Sequence, residues 1–271
     1  MTSPDRYVDL LMGCLTRELF LDHEHHDVSL ADWPGPGTPD ELLATLRTHQ
    51  WRLTRQGGDQ QLRAVGRDWP PTAETMVGRE RLANVRWAVE TVVKDHIPGD
   101  LIETGVWRGG VTILMRGILQ AWGDTTRTVW VADSFHGLPA PDPESFPADA
   151  GHDLSAVSTL SVSADQVRKN FARYGLLDDQ VRFLEGWFAD TLPDAPINQL
   201  AVLRLDGDLY QSTMDALNAL YHRVSPGGFV LVDDYGAWEP CRQAVDEFRA
   251  THHITDPLVE VDWTGVYWRR S

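Results

Sequence analysis

Residues 101–110 constrain the possible fold more than any other part of the chain. They read Leu-Ile-Glu-Thr-Gly-Val-Trp-Arg-Gly-Gly, and a second apolar run follows at 111–119. An apolar stretch that stops at glycines and then resumes predicts a buried strand turning directly into a helix. Glycine allows the unusual dihedrals of such a turn and the close approach of a ligand. The segment therefore predicts the first half of a nucleotide-binding α/β unit, with a plain connecting turn as the alternative.

Strand and helix patterns alternate along the remainder of the chain. Helices are predicted at 78–96, 163–174, 212–224 and 242–252, and further strands at 128–133, 180–185, 200–206 and 228–233. A closing hairpin is predicted from strands 258–262 and 266–269 around a Trp-Thr-Gly turn. This alternation predicts an α/β fold with a mostly parallel sheet and helices on both faces. The hairpin would add an antiparallel strand at the carboxyl-terminal end.

The first part of the chain has less periodic apolar sequence. A helical stripe covers residues 7–21, the following loop contains the run Trp33-Pro-Gly-Pro-Gly-Thr-Pro, and a short helix is predicted at 41–50. Such a segment is too poor in apolar sequence to form a core of its own. We therefore expect residues 1–72 to be an N-terminal helix with a lid or dimerisation arm, and 73–271 to be the main domain.

Composition excludes several classes of protein. The 271 residues include 24 basic and 40 acidic side chains, for a net charge of −16. This balance argues against a nucleic-acid or anionic-membrane partner, because both require basic patches. Two distant cysteines give no disulfide framework, and the sequence has neither a signal-peptide pattern nor a membrane-spanning apolar run. We expect a cytoplasmic location. Most of the eleven tryptophans are expected to be core or packing residues, with Trp107 and Trp187 at turns where a ring can stack on a base or wall a pocket.

Two acids at the ends of predicted strands indicate the kind of cofactor. Glu103 lies inside a glycine turn whose spacing does not match G-x-G-x-x-G, so a pyrophosphate is not the expected ligand. An acid at this place suits a ligand with a cationic ammonium end, and S-adenosylmethionine (SAM) is such a ligand. Asp133 ends the next strand, where a carboxylate can accept hydrogen bonds from both hydroxyls of a ribose. A helix-capping role for Asp133 is the alternative.

Four carboxylates at the ends of two further strands predict a metal site. Asp206 and Asp208 follow one strand, and Asp233 and Asp234 follow another. Ionised and unpaired, they would repel one another, so protons or a cation must be present. Oxygen ligands without histidine or cysteine favour Mg²⁺, which can lower the pKa of a bound hydroxyl. Asp208 is then the candidate general base. Three histidines are alternative bases: His136, His152 and His222.

Several long sequence blocks follow one another between Thr75 and Arg270. They are Thr-Met-Val-Gly at 75–78, Pro-Gly-Asp-Leu-Ile-Glu-Thr-Gly-Val-Trp-Arg-Gly-Gly at 98–110, Val-Trp-Val-Ala-Asp-Ser-Phe at 129–135, Asn-Phe-Ala-Arg-Tyr-Gly-Leu-Leu-Asp-Asp-Gln-Val-Arg-Phe-Leu at 170–184, Gly-Trp-Phe at 186–188, Val-Leu-Arg-Leu-Asp-Gly-Asp-Leu-Tyr at 202–210, Ser-Pro-Gly-Gly-Phe at 225–229 and Asp-Asp-Tyr at 233–235. In these blocks the chain resembles the macrocin O-methyltransferase family, which includes mycinamicin and noviose sugar O-methyltransferases.

The resemblance implies a class I SAM-dependent methyltransferase of Rossmann-like fold, with Mg²⁺ as a second cofactor. Members methylate a hydroxyl of a deoxysugar, usually after its attachment to an antibiotic scaffold. Carried onto this sequence, it implies Asp206, Asp233 and Asp234 as metal ligands and Asp208 as base. Nine residues would hold or cover SAM: Thr75, Met76, Glu103, Gly105, Trp107, Asp133, Ser134, Gly186 and Trp187. Members are commonly homodimers or larger, with the N-terminal region helping to cover the active site.

The sequence leaves some alternatives open. A metal-dependent methyltransferase acting on a phenol or catechol would share every cofactor residue. A binding module that keeps the pocket without chemistry is a second alternative, and a nicotinamide dehydrogenase, weakened by the missing G-x-G-x-x-G, is a third. Residues 22–72 match no block of the family, and 135–159 carry no subfamily signature. The particular sugar, its hydroxyl and its aglycone therefore stay open.

Overall fold

The computed structural model describes residues 3–28 and 38–271, so most of the Pro-Gly loop predicted around Trp33 lies outside the described residues. The helices are α1 (Ser3–Leu15), α2 (Pro39–His49), α3 (Gln60–Ala64), α4 (Arg79–Lys94), α5 (Gly110–Ala121), α6 (Ala164–Arg173), α7 (Phe188–Thr191), α8 (Tyr210–Leu220) and α9 (Glu239–Thr251). The strands are β1 (His25–Asp27), β2 (Thr54–Gln56), β3 (Asp100–Thr104), β4 (Val129–Asp133), β5 (Val181–Glu185), β6 (Leu200–Leu205), β7 (Val224–Val232), β8 (Val259–Glu260) and β9 (Val266–Arg269).

A seven-stranded sheet organises the described part of the chain, with strand order β5-β4-β3-β6-β7-β9-β8. The five strands from β5 to β7 are parallel, and β9 runs antiparallel to both β7 and β8. The predicted fold class is therefore confirmed. The strand order reverses between β3 and β6, and ligands of open α/β sheets bind at such a switch point.

Apolar side chains cover both faces of the sheet. One cluster joins α1, α4, α5 and α6 to one face, and a second joins α8 and α9 to the other. Val8, Leu11 and Leu15 of α1 belong to the first cluster. A Cβ on Gly117 of α5 would lie 2.3 Å from Leu11, so α1 and α5 are in close contact. The first helix thus shares the core of the main domain, and the domain boundary near residue 72 stays a prediction.

Several element boundaries differ from the prediction: the helix predicted at 212–224 covers Tyr210–Leu220, for example, and the strand predicted at 258–262 covers Val259–Glu260. The helix predicted over 7–21 ends at Leu15, since Arg17 has a left-handed φ of 60° and a 3₁₀ helix follows at Glu18–His23. Strand β7 begins at Val224 rather than at 228. Leu200 pairs with Val224 while Val202 pairs with Phe229, so the Ser-Pro-Gly-Gly sequence forms an irregularity inside the strand. Proline and glycine are tolerated there because the ladder is already interrupted.

The connections that follow the parallel strands meet at one edge of the sheet. They carry the glycine turn after β3, Asp133 at the end of β4, and the acid pairs after β6 and β7. In the described part of the chain, no helix is both long and apolar enough to cross a membrane.

Candidate active site

A cavity of about 770 Å³ lies at the carboxyl ends of the parallel strands. It reaches across the sheet from Trp187 after β5, past the β3 turn, to Trp263 between β8 and β9. Twelve of the thirteen residues predicted for the site line it: Thr75, Met76, Glu103, Gly105, Trp107, Asp133, Ser134, Trp187, Asp206, Asp208, Asp233 and Asp234. The volume is in the upper part of the ~300–1,000 Å³ range of single-ligand pockets, which leaves room for a cofactor and an acceptor together.

Gly186 is the predicted residue that does not line the cavity. It has a φ of +141°, and its N–H donates to the carbonyl of Asp133 at 3.0 Å. The glycine therefore joins the ends of β4 and β5 and places Trp187 at the cavity wall. Its direct contact with SAM stays a prediction.

The glycine turn packs against the protein itself. Gly105 has a φ of +91°, and a Cβ there would lie 1.8 Å from the carbonyl oxygen of Asp206. A Cβ on Gly110 would lie 2.6 Å from the carbonyl of Glu74. Neighbouring backbone therefore requires glycine at both positions. The sequence analysis had attributed this close approach to a ligand. At Gly105, the turn after β3 therefore packs directly against the backbone of Asp206, the first of the candidate metal ligands.

Glu103 is buried at the end of β3 and faces an arginine that the sequence analysis did not assign. Its Oε1 accepts a hydrogen bond from Arg204 of the neighbouring strand β6, while Oε2 has no hydrogen-bond partner in the described part of the chain. Burial raises the pKa of Glu103 to about 8, against the opposing effect of Arg204. A buried carboxylate oxygen without a donor, in a cavity wall, is suited to an ammonium group.

Asp133 is occupied by the loops around it. Its Oδ2 accepts from the backbone N–H of Val106 at 2.8 Å, and its Oδ1 accepts from that of Phe135 at 2.7 Å. Ser134 donates to the carbonyl of Gly137 at 2.7 Å, which closes the turn after β4. Asp133 therefore orders both the glycine turn and the β4 turn. These N–H groups belong to turns rather than to the start of a helix, so the contacts do not correspond to the helix-capping alternative, and each oxygen keeps a second lone pair for a ribose hydroxyl.

Trp107 and Arg108 connect the glycine turn to two outer segments. The indole N–H of Trp107 donates to the carbonyl of Thr159 at 2.8 Å. The Arg108 guanidinium donates to the carbonyls of Pro70 and Ala73 at 3.1 and 2.8 Å. The arm and the 135–159 loop are thereby held against the turn that carries Glu103. Thr75 and Met76, just after this anchor, line the cavity as predicted.

Three carboxylates at the ends of β6 and β7 form a group that could hold a metal ion. Oxygens of Asp206, Asp233 and Asp234 lie within 4.8 Å of one another. Hard oxygen donors at this spacing fit Mg²⁺. Asp233 also accepts from Arg81 through Oδ2 and from Arg204 through Oδ1, so it would have to share its oxygens with an ion. A carboxylate oxygen can do so because it has more than one lone pair.

Asp208 lies beside this group. Its backbone has a left-handed φ of 58°, and its N–H donates to Oδ2 of Asp234 at 3.1 Å. Burial, followed by the charges of Asp206 and Asp233, raises the pKa of Asp208 to about 7. A carboxylate with this pKa can accept a proton near neutral pH. Among described residues the cavity lining contains no histidine, so the three alternative bases lie outside it.

Comparison with known proteins agrees with this geometry. The family model described as macrocin O-methyltransferase (TylF) matches residues 4–270, so the match includes residues 22–72, in which the sequence analysis recognised no block of the family. The chain belongs to the macrocin O-methyltransferase family. Over 212 residues it is 58% identical to 8-demethyl-8-(2,3-dimethoxy-alpha-L-rhamnosyl)-tetracenomycin-C 4'-O-methyltransferase of Streptomyces olivaceus, covering 77% of this chain and 80% of the relative. It is 56% identical over 213 residues to demethyldecarbamoylnovobiocin O-methyltransferase of Streptomyces niveus, covering 78% and 81%.

A solved structure is similar over nearly the whole chain. The O-methyltransferase NovP superposes with a TM-score of 0.86 at 46% identity, covering 99% of this chain and all of that one. As a member of the macrocin O-methyltransferase family, the protein is an O-methyltransferase and SAM is its methyl donor. The nicotinamide dehydrogenase and the binding module are thereby set aside. The buried acid Glu103 with its free Oε2 fits the ammonium end of that cofactor.

Two arginines of this macrocin O-methyltransferase family member were missed by the sequence analysis. Arg204 is buried in β6 and contacts Glu103, Asp206 and Asp233. Arg81 of α4 contacts Asp233 and, at 3.0 Å, Asp262. A signal for Arg204 was present, because it is the single charge in the otherwise apolar strand Leu-Ala-Val-Leu-Arg-Leu. A charge inside a buried strand requires a partner, and the acids at the strand ends were the available ones.

The sequence analysis did not single out three of the tryptophans that line the cavity. Among the described residues, five tryptophans line the cavity: Trp69, Trp107, Trp187, Trp238 and Trp263. The turns that carry Trp107 and Trp187 were recognised from the sequence. The other three lie in segments whose approach to the cavity depends on tertiary contacts, such as the hydrogen bond of 2.7 Å from the indole N–H of Trp263 to the carbonyl of Val65.

Proposed function

We propose that this enzyme transfers a methyl group from SAM to a hydroxyl of a deoxysugar that is already attached to a natural product, and that it requires Mg²⁺. The observation that carries the proposal is the convergence in one cavity of a free buried acid for SAM, three metal-ligating carboxylates and Asp208. The names of the relatives support a sugar acceptor. One relative has an acceptor that bears a rhamnosyl group, and its methyl group goes to a 4'-oxygen.

The charge of the cavity favours a glycoside over a nucleotide sugar. Eight acids line it: Glu103, Asp133, Asp190, Asp206, Asp208, Asp215, Asp233 and Asp234. Arg81 is the one basic side chain among the described lining residues, and its N–H groups face Asp233, Asp262 and the carbonyl of Gly66. Among the protein's own side chains, a diphosphate would meet carboxylates and no basic group that is not already paired. The sugar is therefore methylated after it has been transferred to its aglycone.

Each group has a distinct task in the reaction. Glu103 binds the ammonium end of SAM, and Asp206, Asp233 and Asp234 hold the metal. When bound, SAM would supply an electrophilic methyl group and leave as S-adenosylhomocysteine, and Mg²⁺ would supply a Lewis acid. Asp208 accepts the proton of the acceptor hydroxyl as the oxygen takes the methyl group. Holding the two substrates together while the cavity excludes water contributes several kcal/mol of the rate enhancement.

An acceptor panel tests the proposal. Purified enzyme receives SAM and Mg²⁺ with one of four acceptors: a rhamnosylated tetracenomycin, demethyldecarbamoylnovobiocin, a nucleoside-diphosphate rhamnose or catechol. Mass spectrometry of the products should show one added methyl group on a glycoside and none on the nucleotide sugar or catechol. Methylation of catechol alone would support the phenol alternative, and methylation of the nucleotide sugar alone would overturn the order of steps. A cytoplasmic location and a homo-oligomer remain predictions.

A further inference from the structure

The cavity extends beyond the carboxylates that define its centre. Its lining crosses from the end of β5 to the turn between β8 and β9, six neighbouring strands, which corresponds to about 24 Å at the usual strand spacing. Seven of the nine predicted SAM residues belong to the β3, β4 and β5 ends, and the acids of the metal group belong to β6 and β7. What lies past β7 is therefore on the side away from the cofactor.

Two tryptophans form this outer wall. Trp238 follows β7, and its backbone N–H donates to the carbonyl of Asp234 at 2.9 Å. Trp263 lies between β8 and β9, next to Thr264, whose hydroxyl donates to the carbonyl of Asp233 at 2.8 Å. Trp238 itself, and the neighbour of Trp263, are therefore hydrogen-bonded to the backbone of a candidate metal ligand.

The two tryptophan-bearing turns also contact each other. The N–H of Gly236 donates to the carbonyl of Thr264 at 2.8 Å, and a Cβ on Gly236 would lie 2.3 Å from the carbonyl of Trp263. Ala237, next to Trp238, also lines the cavity. Trp263 is 41% exposed, and the guanidinium carbons of Arg67 and Arg81 lie 4.5 and 5.9 Å from its ring centroid. The result is a pair of indoles at the outer end of the cavity, carried by two turns that are hydrogen-bonded to each other.

We propose that Trp238 and Trp263 are specificity-determining residues that bind a flat, uncharged aglycone. The inference rests on the proposed function, because a sugar hydroxyl at Asp208 directs the group attached to the sugar away from the SAM side. An indole face offers an aromatic aglycone a large contact area at small entropic cost. Eight acids and one arginine line the cavity, and this balance disfavours an anionic aglycone. The enzyme therefore recognises the sugar at the carboxylates and the aglycone at the tryptophan pair.

Two acceptors that share one sugar test this inference. Methyl α-L-rhamnoside has no aglycone surface, and 4-methylumbelliferyl α-L-rhamnoside has a flat aromatic one. Calorimetry gives the Kd of each for protein saturated with S-adenosylhomocysteine (SAH), a measurement that needs no turnover. We expect the umbelliferyl glycoside to bind at least about tenfold more tightly, and Trp238→Ala or Trp263→Ala to remove most of that difference. The Kd of SAH and that of the methyl glycoside should stay within about twofold.

Matched variants distinguish the contribution of the aromatic ring from that of the indole N–H and from the general effect of replacing a tryptophan. Trp263→Phe keeps a flat ring but loses the N–H that holds Val65, so it should retain most of the discrimination. Trp51→Ala removes a tryptophan that is 63% exposed and lies outside the cavity, and it should change nothing. Equal binding of the two glycosides by the wild type, or an equal loss for both glycosides in the alanine variants, would overturn the inference. Tryptophan-dependent binding without methyl transfer to any acceptor would instead count against the proposed function.

Discussion

Asp208 is the residue whose chemistry the proposed reaction depends on most. Its carboxylate lies beside the metal group and takes no part in the ion pairs of Arg81 and Arg204. We predict that Asp208→Asn leaves the Kd of SAH unchanged and lowers kcat by about 10²- to 10⁴-fold, the usual contribution of a general base. Calorimetry and initial rates give the two values. His136→Gln, outside the cavity, is the control and should retain full activity; near-normal turnover in Asp208→Asn would remove it as the base.

Arg204 illustrates how one buried cation stabilises several acids. It is 2% exposed and pairs with Glu103, Asp206 and Asp233 from three adjacent strands. We predict that Arg204→Met lowers the free energy of unfolding by about 3–5 kcal/mol, since it leaves buried carboxylates without a partner. Urea denaturation measures the loss. Adding Glu103→Gln should recover part of it, whereas a loss below about 1 kcal/mol would show that the network is not important for stability.

The join between the β3 turn and the end of β6 is the element-scale feature that positions the site. Gly105 combines a positive φ with contact to the Asp206 carbonyl, while Gly123, with a φ of +68°, has open space where a Cβ would be. Both glycine-to-alanine variants carry the backbone cost, about 1 kcal/mol or more. Only Gly105→Ala adds a steric clash. We predict a clearly larger loss of unfolding free energy for Gly105→Ala than for Gly123→Ala, together with weaker Mg²⁺ binding. Equal losses in the two variants would contradict a close contact between Gly105 and the Asp206 carbonyl.

The arm is a second feature of the element scale, and its attachment was not predictable from the sequence. Arg108 holds it through the carbonyls of Pro70 and Ala73, and such backbone acceptors leave no residue pattern. The β3 turn itself was predictable, because an apolar run ending in glycines has few other structures available. Its glycines were attributed partly to the close approach of a ligand, whereas the structure shows protein backbone beside them. The sequence showed where the backbone had to be unusual, but not that Asp206 and Glu74 were the neighbours.

At the scale of the whole molecule, the order of the strands explains what the sequence could and could not show. Alternating periodicity predicted the parallel sheet and its antiparallel end, and strand-end acids predicted the location of the site. Adjacency of β3, β6 and β7 arises only on folding, and it is what brings Glu103, Asp206 and Asp233 around Arg204. The tryptophan pair was missed for the same reason. The turns that carry residues 238 and 263 come together only when β9 pairs with β7.

The proposed reaction is a metal-dependent transfer of a methyl group to a sugar oxygen. The most direct test is transfer from [methyl-¹³C]SAM to an accepted glycoside after exhaustive chelation, followed by addition of Mg²⁺, with the product identified by NMR. We predict loss of nearly all turnover on chelation, recovery with Mg²⁺, and the label on a sugar hydroxyl, because the three carboxylates lie within 4.8 Å of one another and oxygen donors suit this ion. Undiminished transfer to the same oxygen without any metal, or labelling of a phenol, would contradict the proposed metal-dependent methylation of a sugar hydroxyl.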